Sequence, residues 1–308
     1  MTIALGILAS DGIVLAADTE LSWGDVRKTE GAKIAIWPNE GLAIAGAGNA
    51  NYIEALSERV HAAVQRHTTP DVTKIRRDVQ AALVKFHYDH ILPWNDPTLD
   101  VDLLIALRRG AVQVLWVTYK TTMRPCVCAA IGSGSVEADS LFVQFFNLTK
   151  RPSLDLVTAQ VMATHLAHVA KERIPGCGKN TDVVLITNGS VEQLSRGDVN
   201  GLESCVGDVL ELQTRAAQFA YGYVRVEDEV KEHEAAQHLA KFFLSIRREY
   251  QQMAHFRSTS RRWTLGIQSE EGSPPATTQP SVSSSQIATP PAPRRSRRGR
   301  TRRPPSRA

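Results

Sequence analysis

Thr2 has the clearest capacity for chemistry, because it directly follows the initiator methionine and precedes a long apolar run. A threonine hydroxyl is a poor nucleophile near neutral pH and needs a base within hydrogen-bond reach. An α-amino group titrates near roughly 8, so a terminal threonine can use its own amine as that base. Methionine is usually removed before a residue as small as threonine, and loss of Met1 would expose the amine. The start of the chain therefore predicts a nucleophile at Thr2.

Three further positions have side chains or backbone groups that would support such a nucleophile. Asp18 follows two alanines at the end of an apolar run, so we expect it to be partly buried and to need a cation. Lys33 could supply that cation, and a lysine near the Thr2 amine would disfavour protonation of the amine. Gly46 and Gly48 end another apolar run, and we expect their N–H groups to be open to an oxyanion.

The elements that must position these residues follow from the hydrophobic pattern. Residues 3–9 and 13–17 are apolar on either side of a Ser-Asp-Gly turn, which predicts a β-hairpin with Thr2 at its free end. Two more strands are expected at 34–37 and 41–45, and helical periodicity follows. The predicted helices cover 50–67, a segment opening at Pro70, 137–148 and 153–173, and the later strands 101–107, 112–119, 125–131 and 181–187. This order fits an α+β fold of stacked layers.

The four cysteines, Cys126, Cys128, Cys177 and Cys205, are spread without a CxxC pair, which suits a reducing compartment. Cys126 and Cys128 alternate on one predicted strand, so we expect them to face the same way as small core residues. His87 with His90, and His165 with His168, have a spacing that metal ligands can use, but such lone pairs are mostly ordinary histidines. We therefore expect neither a metal nor a cofactor.

The order and spacing of Thr2, Asp18, Lys33 and Gly46 resemble the proteasome β-subunit family of N-terminal-nucleophile hydrolases. A later Gly132-Ser133-Gly134 segment is similar to the family element whose serine hydrogen-bonds the terminal amine. The resemblance covers residues 2–188. It implies a four-layer αββα sandwich, with the nucleophile in the cleft between two sheets and Gly46 as the oxyanion donor.

The resemblance also implies a substrate pocket. Leu21, Ala35, Ile44 and Gly48 would line the pocket for the side chain before the cut, and their apolar character favours cleavage after apolar residues. An extended peptide would pair its backbone with Ser22, Gly46 and Gly48. One departure is that residues 174–180 lack the Asp and Ser that help to hold the amine in many family members. We expect Lys179, Asn180 or Thr181 to substitute for them.

Composition divides the chain into three parts: a proteasome-like domain at 1–200, a helical extension at 201–268 and a Pro/Ser/Arg-rich disordered tail at 269–308. The tail has eight arginines and two glutamates, so residues 1–268 carry about −2 of the formal net charge of +4. Clustered arginines could bind nucleic acid, an anionic membrane or an acidic protein. The tail has no interleaved aromatic residue for base stacking, and outside the tail we expect no nucleic acid binding.

The favoured hypothesis is a threonine-type endopeptidase that forms an acyl-enzyme on Thr2 after loss of Met1. The resemblance implies peptides or unfolded proteins as substrates, a homo-oligomeric ring and an ATP-dependent unfoldase as partners. The chain has no secretory signal and no apolar stretch that would span a membrane, so we expect a cytoplasmic protein without membrane contact. Two alternatives stay open: a small-molecule amidase or inactive structural subunit of the same fold, or a binding protein that acts through its arginine-rich tail.

Overall fold

The computed structural model describes residues 2–23, 27–94, 99–146 and 154–220, together with 237, 240, 241 and 244. All of them belong to one compact unit, Met1–Arg257, and the second unit, Ser258–Ala308, lies outside the described residues. The described strands are β1 Ala4–Leu8, β2 Ile13–Asp18, β3 Glu20–Trp23, β4 Arg27–Glu30, β5 Ile34–Trp37, β6 Leu42–Gly48, β7 Val101–Arg109, β8 Val112–Tyr119, β9 Thr122–Pro125, β10 Cys128–Ile131, β11 Thr181–Thr187 and β12 Ser190–Gln193. The described α-helices are α1 Ala50–Gln65, α2 Val72–Phe86, α3 Ser135–Phe146, α4 Leu156–Arg173 and α5 Arg196–Ala220.

Two antiparallel five-stranded sheets form the centre of the molecule. Their strand orders are β10-β1-β2-β11-β12 and β5-β6-β7-β8-β9, while β3 and β4 form a separate hairpin. One apolar cluster joins α1 and α2 to the second sheet, another joins α3, α4 and α5 to the first sheet, and a third lies between the two sheets. The layers therefore run helix, sheet, sheet, helix, which confirms the predicted α+β fold and the four-layer αββα sandwich.

The sandwich explains why the strand segments read as continuous apolar runs rather than alternating ones. On β1, Leu5 and Ile7 pack toward α3 and α4, whereas Ala4 packs between the sheets. Strands with both faces covered carry apolar residues at every position. Alanines are frequent in the layer between the sheets, at positions 4, 17, 43, 45, 47, 106 and 129. Small side chains there allow the two sheets to approach closely.

The prediction of one strand over residues 125–131 is wrong. β9 ends at Pro125 in one sheet and β10 begins at Cys128 in the other, so the chain changes sheets between them. Proline has no N–H to donate to a ladder, which favours a strand end at this position. Cys126 consequently packs between the sheets and Cys128 packs toward α3 and α4, so the two thiols do not face the same way. Sequence analysis also did not predict β3, β4 and β12.

The helix α5 begins before residue 201 and packs on the domain, because Val199, Leu202 and Val206 are buried. It runs across the boundary that composition suggested at residue 200. Nearly all of residues 221–268, and the whole arginine-rich tail at 269–308, lie outside the described residues. Among the helices within the described ranges, none has the length and apolar character needed to cross a membrane.

Candidate active site

Thr2 lies two residues before β1, against the turn that joins β10 to α3. The Thr2 N–H donates to Ser133 Oγ at 3.1 Å, and the Gly134 N–H donates to the Thr2 carbonyl at 3.1 Å. Gly132 has a φ of +89°, and a Cβ there would lie 2.3 Å from the Thr2 carbonyl oxygen. Glycine is therefore required at 132 for the turn to approach the threonine backbone this closely. This contact brings together two of the predicted site residues, Thr2 and Ser133.

Asp18 and Lys33 form a buried ion pair in the same region. Lys33 Nζ lies 2.8 Å from Asp18 Oδ1, and the two side chains are 5% and 0% exposed. The Asp18 carboxylate also accepts hydrogen bonds from the N–H groups of Ile3 at 2.9 Å, Glu20 at 3.3 Å and Gly178 at 3.2 Å. A buried charge pair needs such additional hydrogen bonds to offset its desolvation. The bond to Ile3 connects this pair to the residue that follows Thr2.

The N–H of Gly46 is not open to a substrate oxygen, contrary to the prediction. It donates to the Lys33 carbonyl at 3.2 Å, just beyond the first pair of the β5–β6 ladder. A Cβ at Gly46 would lie 2.3 Å from Ile53 Cγ2 on α1, so this glycine is needed for helix packing. Gly48 is the last residue of β6, two residues beyond Gly46, and has a φ of +120°. There the β5–β6 ladder has already ended at Ile34–Ala45.

A cavity of about 410 Å³ connects Thr2 with the predicted pocket walls. Its lining includes four of the five predicted substrate-binding residues, namely Leu21, Ala35, Ile44 and Gly48, and three of the predicted catalytic residues, namely Thr2, Lys33 and Gly46. Ser22 lies on β3, but its side chain is outside the described part of the structure. The structure thus brings most of the predicted site residues to one cavity.

The sequence did not identify the contribution of α1 to this cavity. Ile53, Glu54, Ser57 and Glu58 line it from the helix that begins shortly after Gly48. Glu54 and Glu58 stand one helical turn apart and are exposed, so they place two carboxylates on the lining of the cavity. The sequence did contain a signal for these two residues. Glu54 and Glu58 are four residues apart, and therefore on one face, in a helix that begins just after Gly48.

Lys179, Asn180 and Thr181 were expected to replace the missing Asp and Ser near the Thr2 amine. Their hydrogen bonds go to other residues instead. The Lys179 carbonyl accepts from Lys171 at 3.3 Å, and the Thr181 hydroxyl donates to Glu203 at 2.6 Å. The Asn180 N–H donates to Thr19 Oγ1 at 3.0 Å. Cys177 of the same loop lies against the site, with its Sγ 3.9 Å from Ser133 Oγ. Sequence analysis had assigned no role in the site to this cysteine.

No group of three or more His, Cys, Asp or Glu side chains within the described ranges is arranged to hold a metal ion. The two histidine pairs of the sequence analysis, His87 with His90 and His165 with His168, are each in contact with other groups. His90 Nε2 lies 2.7 Å from Arg59, and His165 is buried, which lowers its pKa through desolvation and the adjacent His168.

The family model described as "Proteasome subunit" matches residues 2–186, which is more than half of the chain. None of the curated protein sequences matches it. Solved structures with similar folds include a Gly-1 mutant of Anbu from Hyphomicrobium sp. strain MC1, with 15% identity and a TM-score of 0.56 over 70% of this chain and 97% of that one. Anbu, described as an ancestral beta-subunit, from Yersinia bercovieri has 12% identity and a TM-score of 0.57 over the same shares. At these identities the similarity shows a common fold, and the family match shows that the chain belongs to the proteasome subunit family.

Proposed function

We propose that this chain is a threonine-type endopeptidase that becomes active when Met1 is removed. The observation that carries the proposal is that Thr2 contacts Ser133 and shares one cavity with Lys33, whose buried side chain is paired with Asp18. A nucleophile, its base and a group that orients the base are the parts that covalent catalysis requires.

In the proposed reaction, Thr2 Oγ attacks the carbonyl carbon of the scissile peptide bond and its proton passes to the Thr2 amine. The C–N bond then breaks, the leaving amine takes that proton, and an ester remains on Thr2. Water hydrolyses the ester and restores the hydroxyl. Lys33, oriented by Asp18, disfavours protonation of the free amine and stabilises the developing alkoxide. Ser133 orients the amine through the contact at 3.1 Å.

We assign the oxyanion donor to Gly48 rather than Gly46. The support is geometric, because the Gly46 N–H already donates to Lys33 while Gly48 lines the cavity beyond the end of the β5–β6 ladder. A backbone N–H aimed at the developing negative charge stabilises a tetrahedral intermediate without a side chain. In this arrangement the cleaved carbonyl lies between Gly48 and Thr2.

The proposed substrates are peptides or unfolded protein segments. A peptide in extended form would lie between β3, at Ser22, and the end of β6, at Gly48, as an added strand. Leu21, Ala35 and Ile44 would contact the side chain before the cut and favour an apolar residue. Glu54 and Glu58 at the same cavity would disfavour an acidic one through charge repulsion.

Family membership supports a closed homo-oligomeric ring, and we propose this assembly together with an ATP-dependent unfoldase partner and a cytoplasmic location. We also propose that residues 201–268 form a helical extension, whose first part, α5 up to Ala220, packs on the domain, and that the tail begins at residue 269. Light scattering, which measures the molar mass of the full chain in solution, tests the proposed ring. A molar mass equal to that of one chain would exclude it.

The first experiment is the intact mass of the purified protein before and after incubation with a peptide epoxyketone. This reagent bonds to both the hydroxyl and the amine of an N-terminal threonine. We expect loss of Met1 and gain of one inhibitor mass, with no gain in Thr2→Ala. A matched control, Thr69→Ala, changes a threonine outside the cavity and should react like the parent chain. A chain that keeps Met1 and stays unmodified would instead support an inactive structural subunit.

A further inference from the structure

Cys177 lies beside the candidate nucleophile in the loop between α4 and β11. Its side chain is buried, and its Sγ is 3.9 Å from the oxygen of Ser133 that accepts from Thr2. The loop is fixed at both sides of the thiol, because the Cys177 N–H donates to the Ile174 carbonyl at 3.1 Å and the next N–H, of Gly178, donates to Asp18 at 3.2 Å. Cys177 is therefore held in place by the carboxylate that also binds Lys33.

The hydroxyl of Ser133 has one hydrogen and two acceptor positions. One acceptor position takes the Thr2 N–H at 3.1 Å, and the hydroxyl donates its hydrogen to the Thr2 carbonyl at 3.4 Å. The thiol is the third polar neighbour of this oxygen. With the hydroxyl hydrogen directed to the Thr2 carbonyl, the thiol donates and fills the second acceptor position. This arrangement keeps the other Oγ lone pair facing the Thr2 nitrogen.

Burial, followed by the negative charge of Asp18, raises the pKa of the Cys177 thiol. The hydrogen bond with Ser133 and the nearby Lys33 charge act in the opposite direction. With a raised pKa the thiol keeps its proton near neutral pH, so a hydrogen remains available for sharing with Ser133.

We propose that Cys177 is a positioning residue, which fixes the hydroxyl of Ser133 so that its oxygen accepts from the Thr2 amine and the amine lone pair stays directed at the Thr2 hydroxyl. The inference rests on the proposed peptidase function. Cys177 acts through Ser133 and touches no reacting atom. Its loss therefore lowers the rate of attack without weakening the binding of the peptide.

The test compares Cys177→Ala, which removes the polar atom, with Cys177→Ser, which restores a donor and an acceptor. Cys128→Ala is the matched control, because Cys128 is a partly buried thiol that packs against the same apolar cluster away from Thr2. We expect Cys177→Ala to lower kcat about fivefold, equivalent to about 1 kcal/mol for one hydrogen bond, with KM unchanged. The pH profile of kcat should also shift, and Cys177→Ser should return both quantities toward those of the parent chain.

Epoxyketone adduct formation separates the failure of this inference from the failure of the peptidase function. If the parent chain forms no adduct on Thr2, both proposals are overturned. If the parent chain forms the adduct, and Cys177→Ala does so at the same rate and with the same pH dependence, only the role of Cys177 is overturned. Equal losses of thermal stability in Cys177→Ala and Cys128→Ala, with unchanged pH profiles, would assign the thiol to packing alone and reject the positioning role.

Discussion

The buried pair of Asp18 and Lys33 gives the sharpest prediction, because its two members should respond differently to neutralisation. Asp18→Asn leaves the Lys33 ammonium, whose side chain is 5% exposed, without its anion. Breaking a buried pair in this way costs about 3–5 kcal/mol. Lys33→Met removes the charge and keeps an unbranched side chain, while Asp18 retains its bonds from Ile3, Glu20 and Gly178. The loss is then that of one charged hydrogen bond, about 1.5–3 kcal/mol.

The double variant Asp18→Asn/Lys33→Met should be more stable than Asp18→Asn alone, because no unpaired charge remains. We expect a coupling free energy above about 1 kcal/mol for groups in direct contact. Peptide hydrolysis should be lost in both single variants and in the double variant. Restored stability without restored activity would separate the role of the pair in folding from its role in chemistry.

The assay is urea unfolding at one fixed protein concentration, since assembly changes apparent stability. Lys74→Met serves as the control, because Lys74 pairs with Asp71 at 3.1 Å on the surface. An exposed pair contributes about 0–1 kcal/mol. The reasoning is refuted if the two buried substitutions cost no more than this control, or if their effects simply add in the double variant.

Three further predictions concern other parts of the site and fold. Gly46→Ala should destabilise by about 1–3 kcal/mol through overpacking against Ile53, and Ile53→Val should recover part of the loss in urea unfolding; full stability of Gly46→Ala would contradict the packing role. Glu54→Gln with Glu58→Gln should raise kcat/KM about two- to threefold for a peptide with glutamate before the cut, but not for one with leucine; equal changes would exclude repulsion. Burial raises the pKa of Asp182, so its protonated form favours the fold: this contribution is complete at acid pH and is lost as pH rises through the folded pKa. Asp182→Asn should therefore melt at a higher temperature than the parent near neutral pH, with the gain shrinking toward about pH 4, where unfolded aspartate titrates; a gain that grows toward acid pH would contradict this sign.

The strand ends of the site were predictable because the sandwich covers both faces of its central strands. An apolar run that stops at Asp18, or begins after Lys33, marks the point where the chain leaves the core. A charged side chain at such a point lies at the end of a sheet, where it can be buried against a partner. Local sequence therefore marked Asp18 and Lys33 as charges at strand ends, and the resemblance to the proteasome family placed them beside Thr2.

Features that depend on the alignment of separate segments could not be predicted in this way. The engagement of the Gly46 N–H depends on the register of β5 against β6. The proximity of Cys177 to Ser133 depends on a loop that returns to the site 44 residues later. The orientation of Glu54 toward the cavity depends on the rotation of α1 about its axis. The spacing of Glu54 and Glu58 shows that they share one helix face, but not that this face borders the cavity. All three features depend on how separate elements pack against each other.

Asp18 links folding to chemistry at this site, and this link decides which variant reports on mechanism. Its carboxylate binds Lys33 and accepts from three backbone N–H groups in separate segments, so changing Asp18 disturbs the positions of several elements together. Lys33→Met keeps those three backbone bonds and an unbranched side chain that is one heavy atom shorter. A loss of hydrolysis in Lys33→Met that far exceeds its loss of stability therefore reflects the ammonium itself. The value of kcat falls tenfold for each increase of about 1.4 kcal/mol in the activation free energy. A fully folded variant can therefore still lose several powers of ten in rate.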